Sequence, residues 1–312
     1  MLIRSAVAGD AGGIARLCAS ALTFEPDAAE LPSVLDGGRA RQADDRRGAV
    51  DWPGVVLTAE TSGRLAGVVY ASMRLLSSGI GCGHVDLLAV DPGARGRGAG
   101  AGLLAAAEHE LQAAGAAEVR LGHNSPVYLW PGVDPRYTAM TCLAARAGYE
   151  RYTDAVNLVA DLSAMPGQDA AAERLAAAGV TVRRAQAAEA ADIAGWLREG
   201  PWGASSWPAE AQIAASSDPA SCHLAERDGS YLGFACHGVS RRGWVGPMGT
   251  LAADRDLGIG RVLLARCLAD IAAAGHTVAQ IAWAGPVRFY ARAAGARIDR
   301  VFWLYRKPLA VR

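Results

Sequence analysis

The sequence predicts an α/β protein with a mixed α+β sheet in each of two tandem units. Three observations carry this. Leu87–Gly102 (LLAVDPGARGRGAGAG) reads as a strand, a glycine-rich turn and the start of a helix. The same layout returns at Thr250–Gly260 (TLAADRDLGIG), followed by Arg261-Val262-Leu263-Leu264. The order of elements then restarts near Val182, so a chain of 312 residues divides into two comparable halves.

Composition narrows the function classes. Hydrophobic residues at 51% and charged residues at 20% fit a globular protein. The net charge of zero lacks the basic field that nucleic-acid binding needs. No apolar run reaches the roughly 20 residues of a membrane span, and MLIRSAVAGD lacks a signal-peptide core, so a cytoplasmic location is expected. The six cysteines form no Cys-x-x-Cys pair; they read as buried thiols, and no metal site is expected. Lys307 is the one lysine among 31 basic residues, which with the abundant Ala and Gly suggests a GC-rich bacterial source.

Along the first unit, Leu2-Ile3-Arg4 is a short strand, and Asp10 can cap a helix over Ala11–Ala21. Pro26–Val50 reads as an insertion, with a helix and a solvated segment containing Asp44-Asp45-Arg46-Arg47; a substrate lid is the alternative. Val55–Glu60 and Leu65–Met73 are strands joined by the turn Thr61–Arg64. The strand Ile80–Val90 leads to the glycine loop, then come a helix over Ala101–Ala113 and a strand over Glu118–Gly122. The connection His123–Arg136 is rich in aromatics, as a substrate wall or a packing loop would be. A helix near Tyr137–Ala147 and the strand region Tyr149–Leu162 close the unit.

Residues 164–180, with Met165-Pro166-Gly167-Gln168-Asp169, are the expected linker between an N-terminal domain over 1–163 and a C-terminal domain over 181–312. In the second domain, Val182-Arg183 echoes Ile3-Arg4, and Ala190–Glu199 echoes the first helix. Cys222–Arg227 and Tyr231–Gly238 form a hairpin about Asp228-Gly229. Trp244–Leu251, the helix Arg261–Ala274, the strand Ala279–Trp283, the helix Pro286–Ala294 and the strand Arg297–Lys307 complete the repeat.

A glycine loop alone is a weak signal, because Gly96, Gly98 and Gly100 suit many turns. Repetition makes it specific: Arg-x-x-Gly-x-Gly stands at Arg95/Gly98/Gly100 and again at Arg255/Gly258/Gly260. A loop of this kind turns main-chain N–H groups and a helix N-terminus toward an anion, and arginines add positive charge. With these motifs and their flanking elements, the chain resembles the GCN5-related N-acetyltransferase (GNAT) family as a tandem pair. The resemblance implies that acetyl-CoA is the co-substrate, with its diphosphate on Arg95, Gly96, Arg97, Gly98, Ala99, Gly100 and Ala101. It further implies that Leu88, Ala89 and Val90 offer main-chain groups to the pantetheine arm. Arg255, Gly258 and Gly260 are the second copy, but Asp256 stands where glycine is usual and a carboxylate repels a diphosphate, so weaker binding is expected there.

Acetyl transfer also needs a base for the amine and a stabiliser for the departing thiolate. Alternation puts Cys82, His84 and Asp86 on one strand face, so Asp86 or His84 is the candidate base, against a purely structural role for either. His123, Glu25 and Asp134 are weaker candidates. For the thiolate, the family's helix tyrosine is matched by Tyr290, five residues before Gly295 where four is usual; the first unit has Ala144 at four before Gly148. Its nearest alternatives are Tyr137, Tyr128 and Asn124, the last counted with the donor site; Tyr137 and Tyr290 also read as packing residues.

The sequence therefore points to an acetyl-CoA-dependent N-acetyltransferase acting on a primary amine of a small molecule, with the first unit as donor site. The opposite assignment, with Tyr290 catalytic in the second unit, stays open. The rival class is a non-catalytic acyl-CoA-binding module or sensor. Neither nucleic acid nor membrane is an expected partner.

Overall fold

A computed structural model describes residues 1–44, 54–76, 78–164 and 169–309. In order, the first elements are β1 (Leu2–Ser5), α1 (Ala11–Ala21), α2 (Leu31–Asp44), β2 (Val55–Thr61), β3 (Arg64–Leu75), β4 (Gly81–Val90), α3 (Ala99–Ala113), β5 (Glu118–Leu121), α4 (Thr138–Arg146) and β6 (Glu150–Asp161). There follow α5 (Asp169–Ala177), β7 (Thr181–Arg184), α6 (Ala190–Glu199), α7 (Trp207–Ala215), β8 (Cys222–Arg227), β9 (Ser230–His237) and β10 (Trp244–Thr250). Last come α8 (Ile259–Ala273), β11 (Val278–Ile281), α9 (Val287–Ala294) and β12 (Arg297–Pro308). The architecture is the mixed α/β one the sequence implies.

Two compact units result, one of residues 1–155 with 302–312 and one of residues 156–301. The division runs through β6 and β12, whereas the sequence places boundaries at 163 and 181. The end of β12 completes the first unit: Arg306, Lys307 and Pro308 pair with Arg120, Val119 and Glu118 of β5. Lys307 Nζ donates to Glu108 Oε2 on α3 at 2.6 Å, so the one lysine fixes this strand to its helix. In the second unit, residues 158–161 of β6 pair antiparallel with β11. Of the expected linker, Met165–Gln168 lies outside the described residues, as do Asp45-Arg46-Arg47 of the expected insertion.

The first unit's sheet runs β1-β2-β3-β4-β5-β12. Apolar side chains leave both faces of its strands, which is why helices cover both. Leu103, Leu104, Ala107 and Leu111 of α3 bury against Leu57, Val69, Ala71 and Val85. Ile14, Leu17 and Cys18 of α1, with Leu31 and Leu35 of α2, bury against Val68, Tyr70, Leu87 and Ala89. The second sheet runs β6-β11-β10-β9-β8-β7, with α8 and α9 packed on one face and α6 and α7 on the other. Thus the second unit has its own helix, α7, where the first has α2; the sequence reading of Pro26–Val50 as extra material missed it.

Details repeat between the units. Arg4 Nη1 donates to Asp10 Oδ2 at 2.8 Å and Nε to Glu60 Oε1 at 2.9 Å. Arg183 does the same with Glu189 Oε2 at 2.8 Å and Glu226 Oε1 at 3.0 Å. Asp10 and Glu189 are held down to about 2, first by the hydrogen bond from their arginine. A Cβ at Gly67 would lie 2.8 Å from Leu103 Cδ1, and one at Gly233 would lie 2.9 Å from Gly249 O and 3.3 Å from Leu263 Cδ1. Glycine at both positions lets α3 and α8 press directly on the sheet.

Candidate active site

The site begins where β4 leaves its neighbours. On one side, β3 pairs Tyr70 with Leu87 but Ala71 with Val85, so Asp86 is the extra residue of a β-bulge. On the other, the parallel ladder to β5 reaches Val85–Leu121, and Gly122 N then donates to Val85 O at 2.8 Å. Beyond that point Gly122 (φ +86°) and His123 (φ +48°) turn the chain away. Here β4 runs on as the floor of a cavity of about 910 Å³, lined by Asp86, Leu87, Leu88, Ala89 and Val90.

At one end, the wall is the loop into α3. Gly96 (φ +74°) and Gly98 (φ +88°) take left-handed conformations, and Gly98 is the N-cap of α3. Alternating left-handed residues before a helix turn successive N–H groups to one side, where the helix dipole adds to them. Arg95, Gly96, Gly98, Ala99, Gly100 and Ala101 all line the cavity; Arg97 is exposed and does not. Arg95 is anchored by bonds from Nη2 to Ala21 O (3.1 Å) and from Nε to Val90 O (3.3 Å), which ties the loop to the end of α1.

The opposite wall is aromatic and ionic. Phe24, Trp130 and Tyr137 line it with Asp134 and Arg136. Tyr137 Oη accepts from Phe24 N at 3.0 Å, and the two rings meet edge to face with centroids 5.0 Å apart. Arg136 chelates the buried Asp134 through Nη2 (2.6 Å) and Nε (3.0 Å), and its guanidinium lies 4.4 Å from the centroid of Phe24. Trp130 Nε1 donates to the buried carboxylate of Glu25 at 2.9 Å.

The two candidate bases part company. Asp86 reaches the cavity and accepts from Ser72 Oγ at 2.5 Å; Ser72 in turn accepts from Asn124 Nδ2 at 2.6 Å. All three side chains are buried. This chain leaves Asp86 as an oriented acceptor at the bulge. His84 is 1% exposed, off the cavity wall, and its Nδ1 donates to Gly122 O at 2.9 Å. Burial, then His123, pushes its imidazole well below the usual range; burial also pushes His123 down to about 3. Both rings are therefore neutral and hold the turn at Gly122. Asn124, expected in the donor site, instead sits behind Asp86.

In the second unit the loop is built differently. A 3-10 helix over Ala252–Leu257 runs unbroken to Gly258 (φ +84°), the N-cap of α8. Asp256 thus lies in a right-handed turn where Gly96 is left-handed, and Arg255 precedes it with exposed side chain. Gly100 approaches Leu143, and Gly260 approaches Phe289, each at 3.4 Å for an added Cβ. That equivalence makes Tyr290 the counterpart of Ala144 and accounts for the spacing of five: one extra residue lies between Tyr290 and Gly295. Tyr290 is buried in the second core, and burial pushes its hydroxyl up to about 12. Sequence reasoning did not single out Ser72, Phe24 or Arg136; only their neighbours in the fold reveal them.

Residues 23–127 match the model of the acetyltransferase (GNAT) family. The matched stretch lies within the first unit and includes the glycine loop at Arg95–Ala101. That family comprises acyltransferases using acetyl-CoA as co-substrate. No curated protein matches the chain. Among solved structures, the GCN5-related glucosamine N-acetyltransferase region of a fungal multi-domain GH3 β-N-acetylglucosaminidase superposes with a TM-score of 0.77 at 17% identity, covering 98% of this chain and 38% of that one. This chain therefore spans well under half of that protein. A GCN5-related N-acetyltransferase from Sphaerobacter thermophilus gives 0.63 at 23% identity over 98% and 95% of the two chains. A tandem GNAT protein of the clavulanic acid biosynthesis pathway gives 0.67 at 17% identity over 98% of both. At these identities the likeness establishes the GNAT fold in tandem form.

Proposed function

We propose that the first unit transfers the acetyl group of acetyl-CoA to a primary amine of a small molecule, with Asp86 as base. The observation that carries this reading is a single cavity with an anion-cradling glycine loop at one end and an oriented carboxylate on its floor. Arg95 and the N–H groups about Gly96–Ala101 would hold the diphosphate, and Leu88–Val90 the pantetheine arm. The amine nitrogen attacks the thioester carbonyl carbon, and its proton passes to Asp86 directly or through water. Collapse of the tetrahedral adduct breaks the C–S bond and releases the amide and the CoA thiolate. Tyr137, whose side chain is on the cavity wall, would supply a proton to that sulfur. The walls of Phe24, Trp130 and Tyr137 favour an acceptor with an apolar face beside its amine.

Thiol release from acetyl-CoA with a panel of amines tests the reading. Amine-dependent release that falls on Asp86→Asn, with CoA affinity kept, is expected. Tight CoA binding without release for any amine would favour a non-catalytic acyl-CoA-binding module instead.

A further inference from the structure

The second unit carries a cluster that the first lacks and acetyl transfer does not use. His223 on β8, His237 on β9 and Asp270 on α8 converge with one ligand atom each, all within 4.8 Å of one another. His223 Nε2 lies 2.7 Å and His237 Nε2 3.1 Å from the same oxygen, Asp270 Oδ2. The rings are stacked, with centroids 6.4 Å apart and planes at 25°.

The repeat shows that the fold does not require this trio. Both hairpins carry a bulge at the same place, Ala59/Glu60 in the first and Ala225/Glu226 in the second. Counting from those bulges and from Gly67 and Gly233, His223 and His237 stand where the first unit buries Leu57 and Ala71 under α3. Counting from the N-caps Gly98 and Gly258, Asp270 stands at the position of Glu110, which is exposed. Two apolar core positions have become imidazoles aimed at a carboxylate on the covering helix. Placing polar rings in a core is unfavourable unless they gain a partner there.

We propose that His223, His237 and Asp270 form a binding site for a divalent transition metal of the zinc class. Two imidazoles and one carboxylate are a donor set suited to zinc. Ligand atoms about 2.0–2.2 Å from a tetrahedral ion are separated by about 3.3 Å, and the two histidine–aspartate separations of 2.7 and 3.1 Å need open only slightly to reach it. Arg184 Nη2 donates to Asp270 Oδ1 at 2.6 Å, which orients the carboxylate and leaves Oδ2 for the ion. Side-chain exposures of 16% at His237 and 21% at Asp270 leave the fourth position open to water. Loading places the His223 ring proton on Nδ1, which is buried without a protein partner, and Arg184 repels the ion. Both set the affinity below that of a closed structural site. The ion would clamp β8, β9 and α8 together.

The test uses the full chain, stripped with EDTA and dialysed against micromolar Zn²⁺. Elemental analysis is expected to find about one retained zinc per chain, and the loaded protein should melt higher than the stripped one. Co²⁺ in place of Zn²⁺ should give the visible absorption of a tetrahedral ion. The double variant His223→Leu/His237→Ala restores the first unit's residues and should abolish all three signals. Asp270→Asn is the second arm, should the double variant fail to fold. His109→Ala and His276→Ala, away from the trio, should retain the zinc. A wild-type chain with no zinc above the buffer, or a double variant or Asp270→Asn that retains it equally, overturns the proposal.

Discussion

The two glycine loops start from nearly the same motif and end as different structures. Both finish on a left-handed glycine that caps a helix of fifteen residues, Gly98 for α3 and Gly258 for α8. Two residues earlier they diverge. Gly96 turns left-handed and opens the chain, while Asp256 continues a right-handed 3-10 turn. The strand ahead of each loop diverges as well: the bulge of β4 presents Asp86, and the corresponding irregularity of β10 holds Gly246-Pro247. A shared scaffold is thus compatible with an opened glycine loop and a buried carboxylate in one unit and neither in the other. At the loop and the strand before it, the differences are one backbone conformation and one carboxylate.

The largest effect should come from the acid. Asp86→Asn is expected to lower kcat by on the order of 10²–10⁴-fold in the thiol-release assay while calorimetry shows unchanged CoA affinity. Retained kcat would mean that the units do not differ in the way described. Next, Gly96→Asp gives the first loop the residue of the second. It introduces a side chain at φ +74° and a negative charge beside a diphosphate, so CoA affinity should fall by on the order of 10–100-fold by calorimetry. A smaller asymmetry is expected from the arginines. Arg95→Ala should weaken CoA about tenfold and Arg255→Ala hardly at all; equal losses or the reverse order would overturn the choice of donor site.

The smallest effect probes likeness rather than difference. Asp10 and Glu189 have carboxyls depressed by Arg4 and Arg183, so each contributes stability above the unfolded carboxyl range that is lost as pH falls toward about 2. Arg4→Ala and Arg183→Ala should therefore each lower the melting temperature slightly at pH 7 and converge on the parent chain near pH 2. Unequal losses in thermal scans would show that the two clusters are not equivalent.

Much of this was legible in the residues. Apolar alternation, glycine turns and the repeated Arg-x-x-Gly-x-Gly give the strand and helix order and the loop at Arg95–Ala101, because these signals are local. Asp86 and His84 looked alike as alternate residues of one strand. Only the bulge, the cavity and the bond from His84 to Gly122 distinguish them, and all three depend on β3 and β5 lying alongside. The role of Ser72 behind Asp86 has no signal in a serine on an apolar strand. Helix α7 has no counterpart in the sequence reading; it opens on Trp207-Pro208, where Pro is tolerated in a first turn. Pairing partners of the two long terminal strands are equally invisible: Glu150–Asp161 and Arg297–Pro308 have the same length and texture, and neither states which sheet it will join.

That last ambiguity has a consequence for biosynthesis. Residues 302–308 leave the ribosome after all of residues 156–301, yet they supply the strand beside β5 in the unit that carries the cavity. The first unit must wait, with one edge of β5 unpaired, while residues 156–301 are translated. Splitting the gene near codon 163 would therefore leave the first unit without its last strand, which ties the two copies together in evolution.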